Sequence, residues 1–270
     1  MSFLRVPGAT LCYEVQGSGP LLLISQSGEG DAGRSVDLVR HLTGAYTVVT
    51  YDRRGLSRST LDDPSRGVTL QEHADDVAAL LTALADGPAA MLGCSLGASI
   101  GLRLAVSDPA LLSVLVAHEP VSPWLLPPAD EARHREELVT IQRRFREDGW
   151  QIAVKEAVAT LGIDPGSRDT EPGLTPQPMD AQRVRNIEFW LGQEFTAIIG
   201  DRLDPAAVAA SPVRILPATG SATPSHVYDH RCSARLADLL GTAVAVFPGG
   251  HNGNTSHPRA YAARLRELLA

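Results

Sequence analysis

The sequence predicts an α/β fold: a mostly parallel sheet flanked by helices, interrupted by a helical cap. Three observations lead there. Short apolar runs alternate with helix-length segments through residues 21–118, the pattern of strand–helix–strand units. Leu21-Leu22-Leu23-Ile24 and Val114-Leu115-Val116-Ala117 are apolar without interruption, as strands buried on both faces of a parallel sheet are. From about residue 121 to residue 210 no strand pattern appears, and one resumes at Val213.

Taken in order, residues 3–6 and 10–15 read as a hairpin around Pro7-Gly8-Ala9. The apolar run 21–24 leads into a glycine-rich loop, 25–33, and a helix over 35–42. A strand over 46–51 runs into the polar loop 52–59. Val77, Leu80, Leu81 and Leu84 recur at helical spacing and make 69–85 a crossover helix. Residues 89–92 form the next strand, 99–105 a helix, and 113–117 a sixth strand that ends at His118-Glu119-Pro120. Helices are expected over 129–148, 150–161 and 180–200, with a proline-rich stretch, 164–178, before the third. The sheet resumes with 213–218 and 243–247, separated by a helix over 225–240, and a helix over 257–269 closes the chain. The core is therefore expected to comprise 1–120 and 211–270, and the cap 121–210, inserted after the sixth strand.

The composition narrows the function classes. With 44% hydrophobic and 20% charged residues, the 270-residue chain can bury one sizeable core plus an insertion. A net charge of −7 with scattered basic residues argues against nucleic acid or an anionic membrane as a partner. No apolar run reaches the ~20 residues that span a bilayer. Met1-Ser2-Phe3-Leu4-Arg5-Val6-Pro7 lacks a basic segment followed by an apolar one, so no secretion signal is expected. Cys12, Cys94 and Cys232 suit neither a disulfide framework nor a metal site, which fits a reducing cytoplasm.

The chemistry centres on Gly93-Cys94-Ser95-Leu96-Gly97, a G-x-S-x-G sequence between a strand and a helix. In that setting the serine stands at a sharp, strained turn, and its neighbours two residues away must lack bulk. A serine hydroxyl needs a base within reach and a group to orient that base. His251 lies in the loop after the last strand and is the candidate base, whereas His118 ends a strand and His41 and His73 lie on helices. The acid is expected between serine and histidine in the chain. The loop 219–224 holds no carboxylate, so Glu119, at the strand end beside the serine turn, is the candidate; Asp229 and Asp204 are the fallbacks. The Leu96 amide and that of Ser27 or Gln26 are the candidate oxyanion donors. Gly28-Glu29-Gly30 is a weak phosphate signal, and no P-loop lysine follows it, Lys155 being the only lysine. No cofactor or metal pattern is present. Trp190, Phe189, Phe195 and Trp124 are the candidate walls of a substrate pocket.

Across nearly its whole length this pattern resembles the α/β-hydrolase superfamily. More narrowly, it is similar to the zearalenone lactone hydrolases and the actinobacterial hydrolases around them. The residues that carry the narrower likeness are His118-Glu119-Pro120, the acid-free Gly220-Ser221-Ala222-Thr223-Pro224, Pro248-Gly249-Gly250-His251, Ser256-His257-Pro258 and Gly55-Leu56-Ser57-Arg58-Ser59. The resemblance implies an α/β-hydrolase fold and a triad of Ser95, Glu119 and His251. It also implies a cap tryptophan against the substrate, carried onto Trp190. The implied activity is cofactor-independent hydrolysis of an apolar carboxylic ester, such as the macrolactone zearalenone. The loop 25–33 departs from the family's wording and leaves the substrate open. Ser95 speaks against epoxide hydrolases and haloalkane dehalogenases, which use a carboxylate nucleophile. Thioester or carbon–carbon bond hydrolysis stays open with the same triad, as does a ligand sensor on this scaffold. The expected partner is a small apolar ester or lactone; a homodimer stays open.

Overall fold

The hairpin forms as the turn residues require: β1 (Ser2–Val6) and β2 (Ala9–Gly17) pair antiparallel, with Val6 opposite Ala9. The computed structural model describes all residues, 1–270. The remaining strands are β3 (Leu21–Ser25), β4 (Thr47–Tyr51), β5 (Thr60–Leu61), β6 (Ala89–Cys94), β7 (Leu112–His118), β8 (Arg214–Gly220) and β9 (Ala245–Phe247). They lie in the order β1-β2-β4-β3-β6-β7-β8-β9, with β5 on β2. Strands from β4 to β9 are parallel, and only the pairings of β2 are antiparallel. The strand before the helical insertion is thus the seventh, not the sixth. The uncounted one, β5, has two residues, too few to show any alternation.

The helices of the first half are α1 (Val36–Leu42), α2 (Leu70–Leu84) and α3 (Leu96–Ser107). A capping box starts α2: the Thr69 hydroxyl accepts from the Glu72 amide, and the Glu72 carboxylate accepts from the Thr69 amide. Between β7 and β8 the regular structure is all helical, with α4 (Pro128–Asp148), α5 (Trp150–Thr160), α6 (Ala181–Phe189), α7 (Phe195–Gly200) and α8 (Pro205–Ala210). After β8 come α9 (Tyr228–Leu240), α10 (Gly253–Ser256) and α11 (Pro258–Leu269).

Two details depart from the sequence reading. The single helix expected over 180–200 is α6 and α7 joined by a π-helical turn, Trp190–Glu194, in which the Phe195 amide reaches back to the Trp190 carbonyl. The extra residue in that turn lets Glu194 point inward to a buried arginine, a demand no helical periodicity encodes. The helix α8 is also additional. Its start carries a legible signal, Pro205 at the first position and the Asp204 carboxylate accepting from the Ala206 amide. Asp204, the second fallback acid, is therefore a helix cap.

Alternation along the strands fills both faces of the sheet. Leu23, Met91 and Leu115 join a cluster of 40 buried residues, and Leu22, Leu92 and Val116 join one of 14 on the other face. The larger cluster takes in Leu138, Ile141, Ile187 and Phe195, so the inserted helices extend the core on that face alone. Parallel register sets Ser25 opposite Gly93, Cys94 opposite His118, and His118 opposite Ala218. The carboxyl ends of these strands are level, and their outgoing loops meet at one edge, where open α/β sheets bind ligands.

Candidate active site

Ser95 stands between β6 and α3 with φ 53° and ψ −114°, outside the regions that L residues favour. Such a conformation costs about 1–3 kcal/mol and persists only where its surroundings over-determine it. Here the Ser95 amide donates to the His118 carbonyl at 2.8 Å, and the Ser95 carbonyl accepts from the Ser99 amide at 3.1 Å. The flanking glycines give the turn room. A β-carbon on Gly93 would lie 2.5 Å from the Gly97 carbonyl oxygen, and one on Gly97 would collide with the Ser25 carbonyl. The Leu96 amide opens α3, and the first amides of a helix have no intrahelical acceptor.

Glu119 leaves β7 with φ 46°, and its amide donates to the Ala218 carbonyl at 2.9 Å. Its side chain is fully buried. Oε1 accepts from Thr219 Oγ1 at 2.6 Å and from the Gly220 amide at 2.9 Å, while Oε2 lies 2.6 Å from His251 Nδ1. The end of β8 thus supplies donors to Glu119 where a carboxylate is absent. Burial pushes the Glu119 pKa up, but the hydrogen bond and charge of His251, with His118 and Thr219, carry it below the usual carboxylate range. An ionised carboxylate only accepts, so His251 Nδ1 carries the proton and Nε2 holds the free lone pair. Burial disfavours charge on His251 as well. The hydrogen bond and charge of Glu119, aided by Asp229, outweigh it and raise the imidazole pKa.

Ser95 and His251 border one cavity, together with Ser27, Gly28, Trp190 and Asn252. Ser95 also borders a second, mostly apolar cavity, walled by Leu138, Ile141, Trp190 and Phe195. Ser27 thus borders the same cavity as Ser95 and His251, and its amide donates to no protein acceptor. The Gln26 side chain is engaged elsewhere: its Nε2 donates to Ser35 Oγ at 2.6 Å and its Oε1 accepts from Asn254 at 2.9 Å.

Trp124 and Phe189 are brought to neither cavity beside Ser95. The Trp124 Nε1–H donates to Asp201 at 2.8 Å within the core, and the Phe189 ring packs against Gly55. Adjacent helical residues point about 100° apart, so only one of Phe189 and Trp190 can face the serine. Of the fallback acids, Asp229 borders the apolar cavity, 3.9 Å from His251 Nε2, and the Nδ1 side belongs to Glu119.

Arg53 escaped the sequence reading. It is 1% exposed and forks onto Glu194, with Nε at 2.7 Å from Oε1 and Nη2 at 3.0 Å from Oε2. Its Nη1 donates to the Gln26 carbonyl at 2.7 Å, and Nη2 also bonds the Gly28 carbonyl. One side chain thus ties the loop after β3 to the π turn of the insertion. The doublet Arg53-Arg54 reads as polar loop in the sequence; its partner lies 141 positions away. No group of three or more histidine, cysteine, aspartate or glutamate side chains is arranged to hold a metal ion. No helix is long and apolar enough to cross a membrane.

The profile of the alpha/beta hydrolase family matches residues 22–264. The chain belongs to the alpha/beta hydrolase family. The hydrolase YraK of Bacillus subtilis (strain 168) is 35% identical to it over 270 residues, covering 98% of this chain and 94% of that one. Among solved structures, a hydrolase from Pseudomonas aeruginosa PA01 is similar with a TM-score of 0.71 and 26% identity, over 100% of this chain and 98% of its own. The enol-lactonase from Burkholderia xenovorans LB400 is similar with a TM-score of 0.74 and 21% identity, over 99% of each chain. At that identity the lactonase shares the fold alone. This alpha/beta hydrolase carries its serine turn, Glu119 and His251 on three different loops of one sheet edge.

Proposed function

We propose that this hydrolase cleaves a carboxylic ester, with a lactone such as the macrolactone zearalenone as the specific candidate. Ser95 is the nucleophile, His251 the general base and Glu119 the acid that orients it. One observation carries the reading. A fully buried carboxylate is saturated on one oxygen and bonded through the other to the Nδ1 of a histidine, which shares a cavity with a serine held at φ 53°.

In this reading Ser95 Oγ attacks the carbonyl carbon and passes its proton to His251 Nε2. Glu119 stabilises the imidazolium that forms. The Leu96 and Ser27 amides receive the negative charge that develops on the carbonyl oxygen. Collapse of the tetrahedral intermediate expels the alkoxide, which takes the proton from His251. Water then attacks the acyl-enzyme with His251 again as base. The helical insertion, 121–210, serves as a cap over the core formed by 1–120 and 211–270, with Trp190 and Phe195 as walls of the acyl pocket. No step draws on a cofactor.

The test is labelling by a fluorophosphonate, followed by turnover of an aryl-ester and lactone panel that includes zearalenone. The wild type should label and turn over, whereas Ser95→Ala should not label and should lose on the order of 10⁵–10⁶ in kcat. A wild type that takes no label would sink the reading. Labelling with no lactone cleaved would leave an esterase and remove zearalenone as the candidate.

A further inference from the structure

The apolar cavity beside Ser95 is interrupted by three ionisable side chains: Asp229, in the first turn of α9, and His134 and Glu137 on α4. His134 lies between the carboxylates, with Nδ1 3.3 Å from Glu137 Oε1 and Nε2 3.4 Å from Asp229 Oδ1. Its ring stacks on Tyr228 with centroids 4.8 Å apart. Burial opposes charge on His134, but Asp229 and Glu137 outweigh it, and the imidazole pKa lies above its ordinary value. Asp229 thus turns Oδ1 toward the His134 ring.

Asp229 Oδ2 is different. The residue is 2% exposed, and this oxygen has no hydrogen-bond donor in the protein. It stands 3.9 Å from His251 Nε2, too far for a hydrogen bond. Buried carboxylate oxygens normally have a donor, and Asp229 borders the cavity in which, on the ester-hydrolase reading, the acyl group of a substrate would sit.

We propose that Asp229 Oδ2 is the recognition point for a hydroxyl group carried by the substrate two or three bonds from its scissile carbonyl. The inference rests on the ester-hydrolase reading and narrows its substrate class. A carboxylate oxygen without a donor calls for one, so the ligand must bring the proton, and an ether or ketone oxygen there would supply none. The attacked carbonyl carbon must lie about 3 Å from Ser95 Oγ. A hydroxyl about 2.7 Å from Oδ2, itself beside His251, is therefore confined to the immediate neighbourhood of that carbon. The remaining walls are largely apolar, which selects a neutral hydroxyl over an ammonium that would have to shed its hydration. An analogue without the hydroxyl leaves the buried oxygen unpaired and is disfavoured for that reason.

The experiment compares 4-nitrophenyl 3-hydroxy-3-phenylpropanoate, as separate enantiomers, with 4-nitrophenyl 3-phenylpropanoate. Rates are corrected by the alkaline hydrolysis rate of each ester. One enantiomer should exceed the deoxy ester in kcat/KM by about tenfold to a hundredfold in the wild type, the range of a hydrogen bond to a charged group. Asp229→Leu should bring that ratio close to one. A wild-type ratio near one, with both esters cleaved, overturns the hydroxyl site and leaves the ester-hydrolase reading intact. Cleavage of neither ester overturns both. A ratio that survives in Asp229→Leu overturns the assignment to this residue, and a stronger preference for the 3-amino analogue overturns the neutral class. If Asp229→Leu does not fold, the wild-type ratio still decides.

Discussion

Glu119 sits at φ 46° without solvent exposure where the chain leaves β7, and its side chain turns back onto the end of β8. Its charge holds His251 above the ordinary histidine pKa near 6.5. In the proposed reaction His251 must be neutral to take the serine proton, so kcat/KM should fall as pH drops through that raised value. Glu119→Gln removes the charge, so it should move this acidic limb to lower pH and cut kcat by on the order of 10³. A pH profile of aryl-ester hydrolysis measures both; near-native turnover in Glu119→Gln would assign the role elsewhere. The neighbouring His118 governs stability instead. It is fully buried, neither ring nitrogen has a hydrogen-bond partner, and it meets Phe247 and Tyr261 edge-on. Burial brings its pKa down to about 4, against the attraction of Glu119. Below the unfolded value near 6.5 the unfolded chain binds a proton that the folded chain refuses, so stability is lost as pH falls. Between pH 6.5 and 5 this amounts to about 2 kcal/mol. Thermal melts of His118→Leu should therefore decline less across that interval than those of the wild type, and an equal decline would acquit His118.

At the scale of elements, the π turn and the loop after β3 act as one piece. The Gln26 carbonyl points at Arg53, and in a trans peptide the N–H points opposite to the carbonyl. The Ser27 amide is thereby turned away from the guanidinium. Glu194 holds Arg53 in place from the insertion, and it reaches inward because Trp190–Glu194 carries one residue more per turn than an α-helix. Lysine cannot fork onto a carboxylate and two carbonyls at once. Arg53→Lys should lower kcat about tenfold to a hundredfold with a much smaller change in KM, and weaken a trifluoromethyl ketone inhibitor in parallel. A loss confined to KM would show that Arg53 serves substrate binding and not the oxyanion donors.

Across the whole molecule, largely buried polar contacts tie the insertion to the loop after β4 and to α3. Arg53 pairs with Glu194, Arg103 with Asp201, and Asp201 in turn accepts from Trp124. One hydrophobic cluster runs through both parts. Separate unfolding of the insertion would strand these charges, so a single cooperative transition is expected. The three tryptophans, Trp124, Trp150 and Trp190, all lie in the insertion, so their fluorescence reports on it and on its contacts with the core, while far-UV circular dichroism reports on every helix. The two urea transitions should coincide; an earlier fluorescence midpoint would reveal an insertion that opens independently.

What the sequence determined by itself was local. Continuous apolar runs made the buried strands, helical spacing made the crossover helices, and two glycines around Ser95 made the strained turn. These are legible because propensity, sterics and periodicity act over a few residues. Glu119 as a candidate partner of His251 could be picked out by its place at a strand end and by the missing carboxylate in 219–224. Tertiary structure decided the rest. It chose Trp190 over Phe189 for the cavity, gave Arg53 its partner 141 positions away, bent a regular helix into a π turn, and set Asp229 beside His251. Such pairings arise from how whole elements pack, and the direction of one side chain within an element depends on neighbours that residue order alone does not reveal.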